Sequence, residues 1–256
     1  MNASRPMSRM PGVSLIIIVI NVVLFVFELS RGVGLMRPDT GDMIAWGANV
    51  GALTLTGDAW RLLSSMFLHI GLIHILFNMY MLFVFGPVVE RMFGSARFTL
   101  IYLWSGLFGS LVSAMYHGGQ MQVVVAAGAS GALMGISGAF IGHWMVSSAR
   151  GVSQEALSMR GPLAQTIGLN LVLGFINPGV DNACHVGGLL SGVVLGAAFF
   201  LGEFEHSKAK RFAASVAISV ASLGVIWFVL QREPSDWLVQ VGEQIRARRS
   251  ASVGEA

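Results

Sequence analysis

Charge is scarce in this chain: Asp, Glu, Lys and Arg together supply 11% of its 256 residues, against 54% hydrophobic residues and 32 glycines. Soluble domains carry about 25% charged residues, so an ordinary water-soluble fold is excluded and the composition points to a polytopic membrane protein. Cysteine is almost missing as well. Cys184 is the one thiol, which rules out an intramolecular disulfide framework and leaves the redox compartment undetermined. The net charge of +3 is no footprint for nucleic acid, because the Lys and Arg residues lie in short loops and a tail rather than on one face. No nucleic-acid partner is expected.

What the chain has instead is long apolar runs. At about 20 residues per span and a hydrocarbon core of about 30 Å, seven spans are expected, near residues 13–29, 61–85, 98–116, 130–148, 163–176, 183–201 and 212–230. The first is read as a span, not a signal peptide, since no small-residue cleavage site follows it and Glu28 and Arg31 flank it as at a membrane exit. The connection 30–60, with Pro38, Asp39, Asp42 and Asp58, is too polar to cross and too long for a turn, and part of it is placed in the interface. The fold expected is all-α, a polytopic membrane helix bundle: a short inner arm (1–12), a six-helix core (13–202), a loop with the seventh span (203–231) and a polar tail (232–256). In the tail, Trp237, Leu238, Val241 and Ile245 mark a brief amphipathic helix.

Basic residues set the orientation. With the N-terminus inside, the inner segments hold Arg5, Arg9, Arg91, Arg97, Arg150, Arg160, Lys208, Lys210 and Arg211, whereas the loops 117–125 and 177–182 carry neither Lys nor Arg. An odd number of spans leaves the tail, with Arg232, Arg246, Arg248 and Arg249, outside. The lack of a long presequence favours a bacterial inner membrane over an organelle.

Against this frame one stretch stands out, Gly128-Ala129-Ser130-Gly131, where a polar loop turns into an apolar helix. A serine there keeps its hydroxyl near water while its N–H, unpaired within the helix, points at any anion beside it. That suits a nucleophile, and equally suits close helix packing. The motif recurs as Gly135-Ile136-Ser137-Gly138, but Ser137 lies about 10 Å deeper, and Ser191 in Leu189-Leu190-Ser191-Gly192 reads as packing for the same reason.

Of the six histidines, His69, His74 and His185 fall near the outer face; His206 is in an inner loop, His117 in an outer loop and His143 deep on the Ser130 helix. His185 is the best candidate base. The glycines that follow it, Gly188, Gly192 and Gly196, form a small-residue stripe that presses this helix onto a neighbour; if that neighbour is the Ser130 helix, through Ala132, Gly135, Ala139 and Gly142, imidazole and hydroxyl meet. An intramembrane histidine is a functional suspect by default, with interhelical hydrogen bonding as its plainer use. His74 and Asn78, four residues apart, share one helix face. Both side chains can donate to an oxyanion, or satisfy one another or a backbone carbonyl.

Taken together, Trp60-Arg61, His74-x-x-x-Asn78, Gly128-Ala129-Ser130-Gly131 and Ala183-Cys184-His185-Val186-Gly187-Gly188, in this order, resemble the rhomboid family of intramembrane serine proteases over about residues 45–196. The resemblance implies a six-helix rhomboid core plus one C-terminal transmembrane helix. It implies Ser130 as nucleophile and His185 as general base, with His74, Asn78 and the Ser130 N–H as the oxyanion hole. Glu90-Arg91 resembles the family's structural pair. No metal or organic cofactor is implied, and the expected partners are membrane lipid and transmembrane protein substrates. The site is expected to open to the outer side as a dyad; Asp181, four residues before His185, is left out. Met134, one turn after Ser130, stands where relatives often carry an aromatic ring against the catalytic imidazole, and a thioether holds that ring less rigidly. The short fifth span and the loop 175–182 are the expected gate. Two rivals are a catalytically dead relative, which usually lacks nucleophile or base, and a transporter, for which an inverted repeat is wanted and none is evident.

Overall fold

The structure, a computed structural model, describes residues 12–149, 161, 165, 180–202 and 207–254, without the side chains of 208 and 252–254. Its elements are α1 (Gly12–Ser30), α2 (Thr40–Trp46), α3 (Gly51–Thr54), α4 (Arg61–Ser64) with a 3-10 turn (Ser65–Phe67), α5 (Leu72–Phe93), α6 (Ser95–Gly119), α7 (Ser130–Ala149), α8 (Asn182–Leu201), α9 (Lys208–Leu230) and α10 (Asp236–Gly254). Among the described residues the fold is all-α, relieved by an isolated antiparallel bridge between Asn49 and Ala126. Apart from residue 165, the fifth expected span at 163–176 lies outside the described residues, as do most of the expected gate, His206 and the arm before Gly12.

Among the described residues five helices, α1, α5, α6, α8 and α9, are long and apolar enough to cross a membrane, which makes the chain an integral multi-pass membrane protein. The Ser130 helix α7 has the length, 20 residues, but is not among the five. It is shielded by protein, with Gly131, Ala132, Gly135, Ser137, Gly138, Ala139 and Gly142 buried. By contrast α1 and α9 expose Ile16, Val23, Phe212, Val220 and Trp227 on the outside of the bundle. The second span begins at Leu72 rather than at Arg61: Gly71, at φ +89, breaks the chain between the short α4 and α5.

Glu90 ties the first helix to the second span. Its carboxylate accepts from the N–H groups of Val13 (3.1 Å) and Ser14 (2.8 Å) and from the hydroxyls of Ser14 (2.7 Å) and Ser95 (2.6 Å). An anion thus caps the otherwise unpaired N–H groups of α1, where the helix dipole also favours it. Arg91, expected as its structural pair, is exposed. Since α1 starts where α5 ends, the two are antiparallel, and Gly94 (φ +79) alone joins α5 to α6.

The centre of the bundle is α6, α7 and α8, packed backbone to backbone. A Cβ on Gly188, Gly192 or Gly196 would stand 2.0, 2.0 and 2.1 Å from the carbonyl oxygens of Gly131, Gly135 and Ala139, so α7 and α8 run parallel in contact along about two turns. Gly138 and Gly142 complete the seam against the carbonyls of Leu189 and Val193. Ala132 departs from the expected stripe: it faces α6, its Cβ 3.2 Å from where one on Gly106 would stand. Because α6 runs the other way, its C-terminal half meets the N-terminal ends of both partners, with Gly109 against Cys184 and Ser113 bonded to Asp181.

At that same end the tail returns. The helix α10 extends well beyond the brief one expected, over 19 residues, and it packs Trp237, Leu238, Val241 and Ile245 against Ile44, Val50, Ala52 and Leu53 of the 30–60 connection.

Candidate active site

The approach to Ser130 is fixed by backbone hydrogen bonds before the helix begins. Asn49 and Ala126 exchange N–H···O bonds of 2.8 and 2.9 Å, and the Gly128 N–H donates to the Ser65 carbonyl at 2.8 Å. Asn49 is itself anchored, donating from its amide to the Ser110 carbonyl (2.7 Å) and accepting from the Thr54 hydroxyl (2.6 Å). Gly128 has φ +134, a value that L side chains rarely adopt. A Cβ there would sit 2.6 Å from His74 Cε1 and 2.9 Å from Nε2, so the missing side chain lets the imidazole lie against the loop two residues before Ser130.

His74 is oriented by its own helix start. The Ile70 N–H donates to His74 Nδ1 at 3.3 Å, which makes Nδ1 the acceptor and leaves the proton on Nε2, the nitrogen beside Gly128. Its ring also meets His69 edge on, at 5.3 Å between centroids. Asn78 is buried and donates one amide N–H to the His74 carbonyl at 2.9 Å. That is the bond a purely structural asparagine makes, yet the amide has a second N–H.

His185 begins α8 buried, 3% exposed, with Nδ1 lacking any partner among the described residues. Asp181 does not supply one. Its side chain accepts from the Cys184 N–H (3.0 Å) as the N-cap of α8, takes the Ser113 hydroxyl, and pairs with His117 Nε2 at 3.2 Å. The carboxylate four residues before the histidine therefore holds the start of the helix rather than the imidazole. Cys184 completes the junction: its Sγ would be 2.7 Å from a Cβ on Gly131, so the glycine after Ser130 is a notch for the neighbouring thiol.

Ser130, His185, His74 and Asn78 line one cavity of ≈ 870 Å³, together with Ser65, Ser110, Cys184 and the segment 122–128. The other candidate serines are spent on their own helices: Ser137 donates to the Leu133 carbonyl at 3.2 Å and Ser191 to that of Gly188 at 2.9 Å. His143 lies far down α7 between the rings of Phe93 and Phe200. Met134 is buried but is not part of the cavity wall.

The Trp60-Arg61 pair lies outside the cavity and braces the loop beside it. Arg61 is fully buried; its guanidinium stacks 4.6 Å from the Trp60 ring centroid and donates to Asp58 (3.0 Å) and to the carbonyls of Ile44 (2.8 Å) and Ala48 (3.1 Å). Sequence reasoning did not find Ser65, Ser110, Asn49 or the bonds that join Asp181 to Ser113 and His117. Each involves a small polar residue in a helix or loop whose use depends on which backbone lies across from it, and no spacing within one segment announces that.

A rhomboid domain model matches residues 56–202. The chain is similar to the rhomboid protease GluP of Bacillus subtilis (strain 168), 33% identical over 217 residues, which is 82% of this chain and 38% of that protein. It is similar to the rhomboid protease AarA of Providencia stuartii, 30% identical over 229 residues, 83% of this chain and 81% of that one. RHOMBOID-like protein 2 of Arabidopsis thaliana is 42% identical over 141 residues, 54% of this chain and 41% of its own. The chain thus spans about two fifths of GluP and of RHOMBOID-like protein 2, and about four fifths of AarA. Since the domain match takes in more than half of the chain, with all four residues at the heart of the cavity and the helices that carry them, this protein belongs to the rhomboid family.

Proposed function

We propose that the protein is an intramembrane serine endopeptidase that hydrolyses peptide bonds in or next to transmembrane segments of membrane proteins through a dyad of Ser130 and His185. One observation carries the reading: hydroxyl, imidazole and two candidate oxyanion donors, from three separate helices, line a single cavity at the end of the bundle where α5, α7 and α8 begin. Two of the relatives are named as rhomboid proteases.

In this reading His185 takes the proton of the Ser130 hydroxyl as its oxygen attacks the scissile carbonyl, then delivers that proton to the leaving amine. The oxyanion is met by the Ser130 N–H, the Nε2–H of His74 and the second N–H of Asn78. Water then hydrolyses the acyl ester on Ser130, with His185 again as base. The substrate segment unwinds to present its bond, because a helical backbone hides the carbonyl among its own hydrogen bonds. Trp60, Arg61, Glu90, Gly128, Gly131 and Gly188 hold the frame, and the same role is assigned to Met134 and Arg91.

The membrane assigned is the bacterial inner membrane, with the N-terminus cytoplasmic and the cavity opening outward. Support comes from charge: Arg91, Arg97, Lys210 and Arg211 sit at the end away from the cavity. The core at 13–202 and the appended 203–231 segment keep the boundaries set out above.

A fluorophosphonate applied to the purified full chain is expected to modify wild type and not Ser130→Ala, and tagged single-span proteins co-expressed with it should be cut only when Ser130 and His185 are both present. Equal labelling of the Ser130→Ala chain removes the serine from the chemistry. A transporter or an inactive relative gives no Ser130-dependent adduct.

A further inference from the structure

The tail helix is tied to the cavity by a continuous set of contacts. Leu238, buried, lies against Gly118 at the end of α6 and against Leu55, and its cluster includes Val125, a residue of the cavity wall. One turn on, a Cβ on Gly242 would come 2.5 Å from the Ala52 carbonyl, so the backbones of α10 and α3 touch. One turn further, a single guanidinium nitrogen, Arg246 Nη2, reaches the Thr56 hydroxyl (3.0 Å) and carbonyl (3.1 Å), Asp58 Oδ1 (3.2 Å) and the Leu53 carbonyl (3.5 Å). Asp58 gives its other oxygen to Arg61, which holds the carbonyls of Ile44 and Ala48. The next residue, Asn49, is bridged to Ala126, four positions before Ser130.

The membrane-spanning part of the appended segment does not explain why it should be held this way. The helix α9 is largely unburied and touches α6 through the bond from Trp104 Nε1 to the Ser219 hydroxyl at 3.2 Å. The firm attachment of the C-terminal segment is at its far end, on the loop beside the cavity.

We propose that α10 is a positioning strap for the cavity, in which Arg246 and Leu238 hold the 42–58 loop and the 122–128 segment in the register that places Ser130. The strap itself is inferred from contacts alone; its consequence for catalysis rests on the endopeptidase reading above. Arg246 and Leu238 touch no reacting atom. They act through Asp58, Val125 and the Asn49 to Ala126 bridge.

The test uses full-length chains in detergent or nanodiscs carrying Arg246→Ala, Arg246→Lys or Gly242→Val. Two readouts are taken, amide hydrogen exchange and the rate of fluorophosphonate labelling at Ser130. In Arg246→Ala and Gly242→Val, exchange at the bridged amides of Asn49 and Ala126 should rise at least about fivefold, with labelling slowed by a similar factor and the amides of the α7 to α8 seam unchanged. Because one nitrogen makes all the Arg246 contacts, Arg246→Lys is expected to restore both readouts.

Faster exchange within α10 with no change at Asn49 and Ala126 overturns the strap. So does a rise spread evenly through α7 and α8, which makes α10 a general stabiliser, and so does loosening of the bridge with labelling unaltered. If wild type itself takes no label, the endopeptidase reading fails, while exchange at Asn49 and Ala126 still decides whether α10 holds the loop.

Discussion

The carbonyl oxygen of Gly131 lies 2.0 Å from where a Cβ on Gly188 would stand. The obstacle is backbone, which cannot swing aside as a side chain does. Overpacking a core typically costs about 1–3 kcal/mol, and Gly188→Ala is expected to reach the top of that range because α8 must move as a body. Ser130 and His185 sit at the start of these two helices, so labelling of Ser130 should fall with it. Gly202→Ala, whose Cβ would meet only the Arg97 guanidinium at 3.7 Å, should stay within about 0.5 kcal/mol of wild type in the same unfolding measurement.

Gly128→Ala tests the loop that carries the serine. The substitution strains a backbone at φ +134, worth about 1–3 kcal/mol, and drives a methyl group toward the His74 ring. Turnover should fall at least about 10²-fold, as expected when an oxyanion donor is displaced. Gly94→Ala carries the strain of φ +79 with nothing within 4 Å; it should lose stability and keep its turnover per folded molecule.

His74→Ala and Asn78→Ala remove the two side-chain donors. Each is expected to lower kcat by about 10²- to 10³-fold, equivalent to about 3–4 kcal/mol of transition-state stabilisation, with little change in KM. The double variant should lose less than the product, since in this reading both side chains donate to the same oxyanion; the bond from the Asn78 amide to the His74 main-chain carbonyl survives His74→Ala. A variant that raises KM alone would mark its residue as binding substrate rather than the oxyanion.

How far all this could be read from the chain depends on whether a feature is completed within one segment. The Gly188, Gly192, Gly196 stripe is such a feature: three glycines at one helical spacing demand a backbone partner, and the Ser130 helix supplied it. The start of α7 at Ser130 was legible for the same reason, as a polar loop ending in small apolar residues. What a stripe does not carry is the identity of the opposing residue, so Ala132 was assigned to the α8 seam and faces α6 instead. Glu90 shows a stronger case. Its motif draws the eye to Arg91, yet the carboxylate is claimed by N–H groups of a helix some 76 positions earlier. The docking of α10 was hidden likewise: amphipathicity predicts that a face is covered, and both lipid and protein cover it equally well.

Asp181 offers a check on the dyad. Replacing it with Ala removes the N-cap of α8, which should cost about 1–2 kcal/mol of stability, together with its bonds to Ser113 and His117. Activity per folded molecule is expected to remain within about tenfold of wild type. A true third member of a triad costs about 10⁴-fold when its carboxylate is lost, so a drop of that size in Asp181→Asn would place Asp181 in the catalytic group.

Asp58 gives the tail contact a pH signature. Burial alone raises its pKa, but the hydrogen bonds and positive charge of Arg61 and Arg246 outweigh this and hold it below the usual aspartate value. A carboxylate with a depressed folded pKa contributes stability above its unfolded value, about 3.9, and loses it as the pH falls through the folded one. Thermal unfolding of wild type is therefore expected to weaken below about pH 4 more steeply than that of Asp58→Asn, which should be less stable at neutral pH and flatter in acid. Parallel acid limbs would dissociate Asp58 from the effect.

The helix that bears Ser130 is lined with small residues, Gly131, Gly135, Gly138, Ala139 and Gly142, that are buried against its neighbours rather than turned outward. During synthesis that small-residue face packs on protein and gains little from lipid. The nascent protein must keep it beside α6 until the ribosome has delivered α8, some fifty residues later, to close the other flank. The serine is therefore seated late in biogenesis, and a chain halted before α8 should be left with a poorly integrated segment exposed to quality-control proteolysis.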